Sequence, residues 1–121
     1  MSQFKYVGKK LFAENLSILN IIKTNKTPFY LYSDKQLAEN YSKLANCFKK
    51  IKPLICFAAK ANSNLTMLKT LGKLGCGVDV VSGGELLKAI KAGIKPSKIV
   101  FSGVGKTEEE IKIAINKNIL L

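Results

Sequence analysis

The chain has 121 residues and a net charge of +12, with 20 cationic residues against 8 acidic ones. This length provides one modest hydrophobic core and is too short for two ordinary domains. No stretch free of charged residues exceeds eight, so we expect no membrane helix, which needs roughly twenty apolar residues. The three cysteines form no C-x-x-C pair, which predicts neither a disulfide scaffold nor a metal site and indicates a cytoplasmic protein without a signal peptide.

The positive charge favours a solvated surface over a nucleic-acid interface. All the cationic residues are lysines spread along the chain, whereas specific readers of nucleic acids favour arginine for bidentate contacts. Nine asparagines and twelve isoleucines accompany them, a composition typical of a genome rich in A and T. We therefore expect no nucleic-acid partner. The absence of histidine excludes an imidazole base or a catalytic triad within these residues.

The first third of the chain predicts two helices and one strand. Residues 1–10 carry too little pattern for a prediction, and residues 11–22 predict a short helix. Residues 28–32 predict an aromatic-rich strand. Ser33 and Gln36 have the spacing of a capping box, which predicts a long helix to about residue 51. Its apolar residues recur every three or four positions and predict a stripe packed on a core: Leu37, Tyr41, Leu44, Phe48 and Ile51.

From residue 54 onward, a unit of one strand and one helix occurs three times. Capping-box spacings at Ser82 and Glu85 and at Thr107 and Glu110 mark helix starts. Such a series predicts an α/β fold with a parallel sheet, either open or closed into an eight-stranded barrel of about 250 residues. Because a fourth strand begins near residue 119, we expect the front part of a longer fold. The predicted strands are 54–59, 77–81 and 98–102, and the helices are 65–74, 85–92 and 108–117.

Two charged residues are the candidates for chemistry. Lys60 follows the uncharged run from Leu54 to Ala59. This position places its amine at the carboxyl end of a parallel strand, before the following helix, and functional sites of such folds lie at this edge of the sheet. An amine beside apolar groups can act as a nucleophile towards an aldehyde, and a Schiff base with pyridoxal phosphate is the leading use of such a lysine. The alternative is an ordinary lysine whose stem packs while its head reaches water.

Asp79 lies among valines in the next strand, where a carboxylate is costly to bury without a partner. It could face Lys60, or loop amides could satisfy it. The glycine-rich segments 82–85 and 102–106 follow strands but match neither a dinucleotide fingerprint nor a P-loop. We interpret the first as helix capping, with a contact near the cofactor as the alternative, and the second as a loop on the catalytic rim whose role stays open.

Four motifs in this order resemble the amino-terminal part of the diaminopimelate decarboxylase family. The resemblance extends over almost the whole chain, including residues 11–14. Four ordered motifs are far more specific than one lysine. They are TPFYLY at residues 27–32, FAAKANSN at 57–64, GVDVVSGGEL at 77–86 and IVFSGVGKT at 99–107.

The resemblance implies an enzyme that uses pyridoxal 5'-phosphate, with a β/α (TIM-type) barrel followed by a β domain, usually a homodimer. Lys60 would form the Schiff base and Asp79 would be an acidic residue near it. The substrate would be meso-diaminopimelate, converted to L-lysine and carbon dioxide. Residues 1–33 would join the β domain and residues 34–121 would form part of the barrel. The residues that hold the phosphate and the substrate would lie beyond residue 121, so we expect the chain to be inactive alone.

Two alternatives stay open within the resemblance. The substrate could be that of a related decarboxylase, such as ornithine, arginine or carboxynorspermidine. The chain could also be a non-catalytic module that holds pyridoxal phosphate or meets a separately encoded carboxy-terminal part.

Overall fold

The computed structural model describes residues 2–121, which divide into two compact units. The first extends to Asn40, and the second comprises Tyr41–Leu121. Of the helices formed by the described residues, none has the length and apolar character needed to span a bilayer.

The first unit contains a small antiparallel sheet, ordered β1-β2-β3, followed by a short helix α1. The predicted helix over residues 11–22 is therefore wrong for most of its length. Residues 10–13 are extended because they pair with residues 4–7 in a hairpin. The spacing of apolar residues within 11–22 does not indicate this pairing. The elements are β1 (Phe4–Val7), β2 (Lys10–Ala13), β3 (Leu16–Ser17) and α1 (Ile18–Thr24).

The predicted strand over residues 28–32 is also wrong. These residues make no ladder with another strand in the part of the chain that the structure describes. An aromatic-rich sequence favours strand only where a neighbouring strand accepts its backbone hydrogen bonds. The helix α2 (Asp34–Cys47) then begins as expected, because the Ser33 hydroxyl accepts a hydrogen bond from the Gln36 amide at 3.0 Å.

The helix α2 ends four residues earlier than predicted. Beyond Cys47 the backbone hydrogen bonds shorten to three-residue spacing, and Lys52 takes a positive φ of 50° immediately before Pro53. The predicted stripe on a core is not confirmed, since none of the α2 residues is buried and Ile51 is 76% exposed. Nothing within residues 2–121 buries the last three residues of that stripe, Leu44, Phe48 and Ile51, which are exposed.

The second unit confirms the predicted series of parallel strand-and-helix units. Its sheet has the order β4-β5-β6, with both pairs parallel, and Leu120 adds a parallel bridge to Val100 where the fourth strand was expected. Each strand is shorter than predicted by one to three residues. The elements are β4 (Cys56–Ala58), α3 (Leu65–Lys73), β5 (Gly77–Val80), α4 (Gly83–Lys91), β6 (Ile99–Phe101) and α5 (Glu108–Asn116).

One face of this sheet holds the core. Side chains at alternate positions of β5 and β6 point to the same face and are completely or almost completely buried under the helices. Leu68 of α3, Leu86 and Ala89 of α4 and Ala114 of α5 close over them. The strand residues of this core are Val78, Val80, Ile99 and Phe101.

The helix starts are fixed by side-chain caps. Thr107 and Glu110 form the predicted capping box in full. At α4 only half of the box forms, because the Ser82 hydroxyl accepts from the Glu85 amide while the Glu85 carboxylate accepts from the Val81 amide instead of that of Ser82. The Asn64 side chain caps α3 by accepting from the Thr66 amide at 2.9 Å.

The core assignment predicts unequal effects for two chemically identical substitutions. Val78→Ala removes two methyl groups from a fully buried site and is expected to lower the free energy of unfolding by about 2 kcal/mol. Val104→Ala, at a fully exposed loop position, is expected to change it by less than about 0.5 kcal/mol. Urea denaturation followed by circular dichroism measures both, and equal losses would contradict the assigned core.

Candidate functional site

The parallel register places three side chains in a row on the face opposite the helices. Ala58 of β4 pairs with Asp79 of β5, which pairs with Val100 of β6. The neighbours of Asp79 along its strand, Val78 and Val80, are buried in the core. Since successive side chains of a strand point to opposite faces, Asp79 lies on the helix-free face. We call this surface, marked by Ala58, Asp79 and Val100, the open face.

Lys60 lies at the carboxyl end of β4, in a single 3-10 turn formed by Ala59–Ala61. Ala59 is almost completely buried, at 1% exposure, and anchors the turn in the core, while the Lys60 side chain is exposed. Among residues 2–121 no side-chain hydrogen bond or ion pair is formed by Lys60. A fixed backbone therefore presents an uncommitted amine at the carboxyl edge of the sheet.

Two other amines near this edge are engaged. Lys88 of α4 donates from Nζ to the Ser63 hydroxyl at 2.8 Å, and this bond ties the loop after Lys60 to the neighbouring helix. Lys106 donates to the Gly103 carbonyl at 2.6 Å and lies 5.4 Å from the centroid of the Phe101 ring. Both amines thus hold loops in place, whereas Lys60 forms no such bond within residues 2–121.

Asp79 is half-buried, and its Oδ1 accepts a hydrogen bond of 2.5 Å from the Ser102 hydroxyl. It forms no ion pair with Lys60 within 4.0 Å in the described chain. The structure therefore brings Lys60 and Asp79 to the ends of adjacent strands without direct contact between their charged groups. The loop amides that were the alternative partner of Asp79 are not its partner either.

The cysteines of this sheet are poor nucleophiles. Burial raises the pKa of the Cys76 thiol to about 11, so the thiol stays protonated at neutral pH. Burial, and to a smaller extent the charge of Asp79, also raises the pKa of Cys56. Because only the thiolate is reactive, the raised pKa values make both thiols weakly reactive.

Glu110 joins the two loops that follow β5 and β6. One carboxylate oxygen accepts from the Gly83 amide at the start of α4 at 2.5 Å, and the other accepts from the Thr107 amide at 2.9 Å. These two hydrogen bonds, from Thr107 and Gly83, hold the pKa of Glu110 below its ordinary value. The carboxylate therefore fixes the spacing of two neighbouring loops at the carboxyl edge.

The loop after β6 requires glycine at its second position. A Cβ on Gly103 would lie 2.6 Å from the Val81 carbonyl oxygen, which no side chain can tolerate. The Ser102 amide donates to the Val80 carbonyl at 3.0 Å and extends the strand pairing by one residue. The loop of residues 102–106 thus packs directly on the end of β5, at the carboxyl edge of the sheet.

Sequence reasoning located Lys60 and Asp79 at this edge but missed two of the contacts there. Glu110 was recognised only as a helix cap, and the sequence carries no signal for its second bond to Gly83. Ser102 was recognised only as part of a glycine-rich loop. Its bond to Asp79 depends on the register between β5 and β6, which becomes visible only in the folded chain.

Comparisons with known proteins agree with the resemblance in the sequence. The sequence profile described as pyridoxal-dependent decarboxylase, pyridoxal binding domain, matches residues 34–121. The diaminopimelate decarboxylase of Pseudomonas fluorescens is 45% identical over 115 residues, which cover 95% of this chain and 28% of that protein. That of Helicobacter pylori strain J99 is 53% identical over 100 residues, which cover 83% of this chain and 25% of that protein.

Solved structures give the same picture. The crystal structure of diaminopimelate decarboxylase from M. jannaschii is 36% identical, with a TM-score of 0.92 over 97% of this chain and 28% of that one. The lysine decarboxylase of Selenomonas ruminantium is 27% identical, with a TM-score of 0.75 over 84% of this chain and 27% of that one. The chain therefore spans about a quarter of the length of these relatives.

The two hydrogen bonds that Glu110 accepts from Gly83 and Thr107 predict a contribution to the free energy of unfolding that depends on pH. Because the pKa of Glu110 is lower in the folded chain than in the unfolded chain, its contribution is fully present above the ordinary glutamate pKa and is lost as the pH falls through the lowered value. We expect Glu110→Gln to be less stable than the parent protein at pH 7, with the difference vanishing in acid. Urea denaturation between pH 7 and pH 3 measures it.

The neighbouring Glu109 provides the control, since it is exposed and belongs to the same helical turn. Glu109→Gln should leave amide hydrogen exchange at Gly83 unchanged, whereas Glu110→Gln should accelerate it. Equal exchange rates at Gly83 in both variants would contradict the hydrogen bond from the Gly83 amide to Glu110.

Proposed function

Because the chain belongs to the pyridoxal-dependent decarboxylases, whose pyridoxal-binding domain it matches over residues 34–121, we propose that it forms the amino-terminal part of a diaminopimelate decarboxylase. The whole protein would remove carbon dioxide from meso-diaminopimelate and release L-lysine. The observation that carries the proposal is the uncommitted amine of Lys60 at the carboxyl edge of a parallel sheet, with Asp79 on the adjacent strand.

The residues at this edge fit the aldehyde end of pyridoxal phosphate. An aldehyde needs a primary amine that no other group engages, and Lys60 is exposed and free of hydrogen bonds within residues 2–121. The open face beside it consists of small or apolar side chains around one carboxylate, which suits a flat aromatic ring. When bound, the cofactor supplies the electron sink that decarboxylation needs.

Each residue of the edge then has a distinct role. Lys60 would hold the cofactor through Nζ, and its buried neighbour Ala59 would keep the amine at a fixed height above the sheet. Asp79 would present a carboxylate on the open face, one strand away from the strand that ends at Lys60. Glu110 and Lys88 would act at a distance, because their hydrogen bonds keep the surrounding loops in register.

The remaining features of the whole protein are part of the same proposal. We propose that residues 34–121 are the first units of a β/α barrel and that residues 1–33 join a β domain. The strand order β4-β5-β6 supports a barrel, since each strand lies beside the next one in the chain, whereas the order of an open doubly wound sheet reverses at a switch point. A homodimer, a cytoplasmic location and a separately encoded carboxy-terminal part remain expectations from the resemblance.

Two alternatives differ in what they would require. A related decarboxylase of another basic amino acid would use the same Lys60 chemistry, but this chain is more similar to the diaminopimelate decarboxylases than to the lysine decarboxylase. A module that holds the cofactor without catalysis would bind through Lys60 and give no turnover in any assembly. The experiment below separates a catalytic role of Lys60 from a non-catalytic one.

A chimera tests the proposed function. The matched amino-terminal region of the Pseudomonas fluorescens enzyme would be replaced by this chain, and release of L-lysine from meso-diaminopimelate would be measured. We expect turnover in the chimera and its loss to background on Lys60→Arg, because a guanidinium cannot take the place of the amine.

The matched control is Lys69→Arg, an exposed lysine of α3. It should leave turnover unchanged. Full activity in the Lys60→Arg chimera would refute the assignment of Lys60, and a folded chimera that binds pyridoxal phosphate without turnover would support the non-catalytic module.

The isolated chain gives a second prediction. We expect purified residues 1–121 with added pyridoxal phosphate to release no L-lysine from meso-diaminopimelate, because the side chains of the open face are only half-buried and water can reach them. The same assay with the intact Pseudomonas fluorescens enzyme provides the positive control. Sustained turnover by the isolated chain would show that the site is complete within these residues.

A further inference from the structure

We propose that Ser102 is a positioning residue for Asp79. Its hydroxyl donates to Oδ1 of Asp79 and fixes the orientation of the carboxylate on the open face, so that Oδ2 stays available to a nitrogen near Lys60. This role deepens the proposed function and rests on it for its catalytic meaning. The hydrogen bond itself belongs to the chain and can be tested without the cofactor.

The position of the Ser102 hydroxyl is set by the sheet. The Ser102 amide donates to the Val80 carbonyl at 3.0 Å, one residue beyond the regular ladder between β5 and β6. In this parallel register Asp79 pairs with Val100, and Ser102 follows Val100 by two residues, just after β6, so its side chain points to the same face. Backbone pairing thus delivers the hydroxyl to the carboxylate, and close packing of Gly103 on Val81 keeps it there.

The hydrogen bond from Ser102 can hold the Asp79 carboxylate in a single orientation. The terminal torsion of an aspartate side chain is broad and two-fold, and Ala58 and Val100 on either side offer no polar group in their side chains. A hydroxyl donating to an ionised carboxylate forms a short, charge-assisted bond, and the observed 2.5 Å has that character. The Ser102 bond therefore selects the orientation.

The bond is not needed to satisfy a buried polar group. Ser102 is exposed and Asp79 is only half-buried, so water could solvate either side chain in its absence. A purely structural role would predict little consequence for the carboxylate when the hydroxyl is removed. A positioning role predicts a change at Asp79 itself.

The first test uses the full chain without cofactor. In carbon-13 spectra at pH 7, Ser102→Ala is expected to shift the carboxyl resonance of Asp79, Ser102→Thr to restore it because threonine keeps the hydroxyl, and Ser97→Ala to leave it unchanged. Ser97 is an exposed serine that forms no side-chain hydrogen bond in the described chain. An Asp79 resonance that does not respond to Ser102→Ala would overturn the proposal.

The second test asks whether Ser102 acts through Asp79. Borohydride trapping of pyridoxal phosphate, followed by peptide mapping, gives the labelling rate at Lys60 in the parent chain, Ser102→Ala, Asp79→Asn and the double variant. We expect Ser102→Ala to slow labelling roughly tenfold, the effect of losing one hydrogen bond to a charged group, and to have no further effect in the Asp79→Asn background.

The two tests separate the possible failures. An equal effect of Ser102→Ala with and without Asp79 would overturn the positioning role. A different outcome is that the parent chain is not labelled at Lys60, while the Asp79 resonance responds to Ser102→Ala and recovers in Ser102→Thr. That outcome would refute the cofactor role of Lys60 in this chain and would still support the positioning of Asp79 by Ser102.

Discussion

The parallel register between β4, β5 and β6 is the constraint on which the site depends. Burial of Val78 and Val80 under the helices forces Asp79 to the opposite face, and pairing with Ala58 places it beside the strand that ends at Lys60. A shift of one residue in this register would exchange the two faces of β5, with Asp79 in the core and a valine on the open face. The hydrophobic core thus determines which side chains are available for chemistry.

The loops at the carboxyl edge are joined by polar contacts that cross from one unit to the next. Lys88 of α4 reaches back to the loop after β4, and Glu110 of α5 reaches back to the start of α4. The helices α4 and α5 therefore each hold the loop of the preceding unit, so the geometry around Lys60 is a property of all three units together. Strands or helices taken singly would not keep these loops in place.

Much of the second unit could be predicted from the sequence, because residues close together in the chain indicate its strands and helices. Short uncharged runs, helix caps and the spacing of the units indicated the parallel sheet, and the run before Lys60 indicated the position of the amine. The hairpins of residues 4–17 were missed because their pairing partners give little local signal. The contacts of Ser102 and Glu110 were missed for a related reason, since each joins two elements whose relative position depends on the folded sheet.

Charge distribution explains why Lys60 differs from the other nineteen lysines of this basic chain. Every acidic residue of the second unit lies at the carboxyl end of a strand or in the first turn of a helix, where helix dipoles favour negative charge. Lys60 is exposed at the same edge, whereas most other lysines lie along helices or in the loops before strands. Lys60 thus has no ion-pair partner within residues 2–121, although carboxylates and helix amino termini lie at the same edge. This combination supports the proposed binding of an anionic aldehyde there. The acidic residues are Asp79, Glu85, Glu108, Glu109 and Glu110.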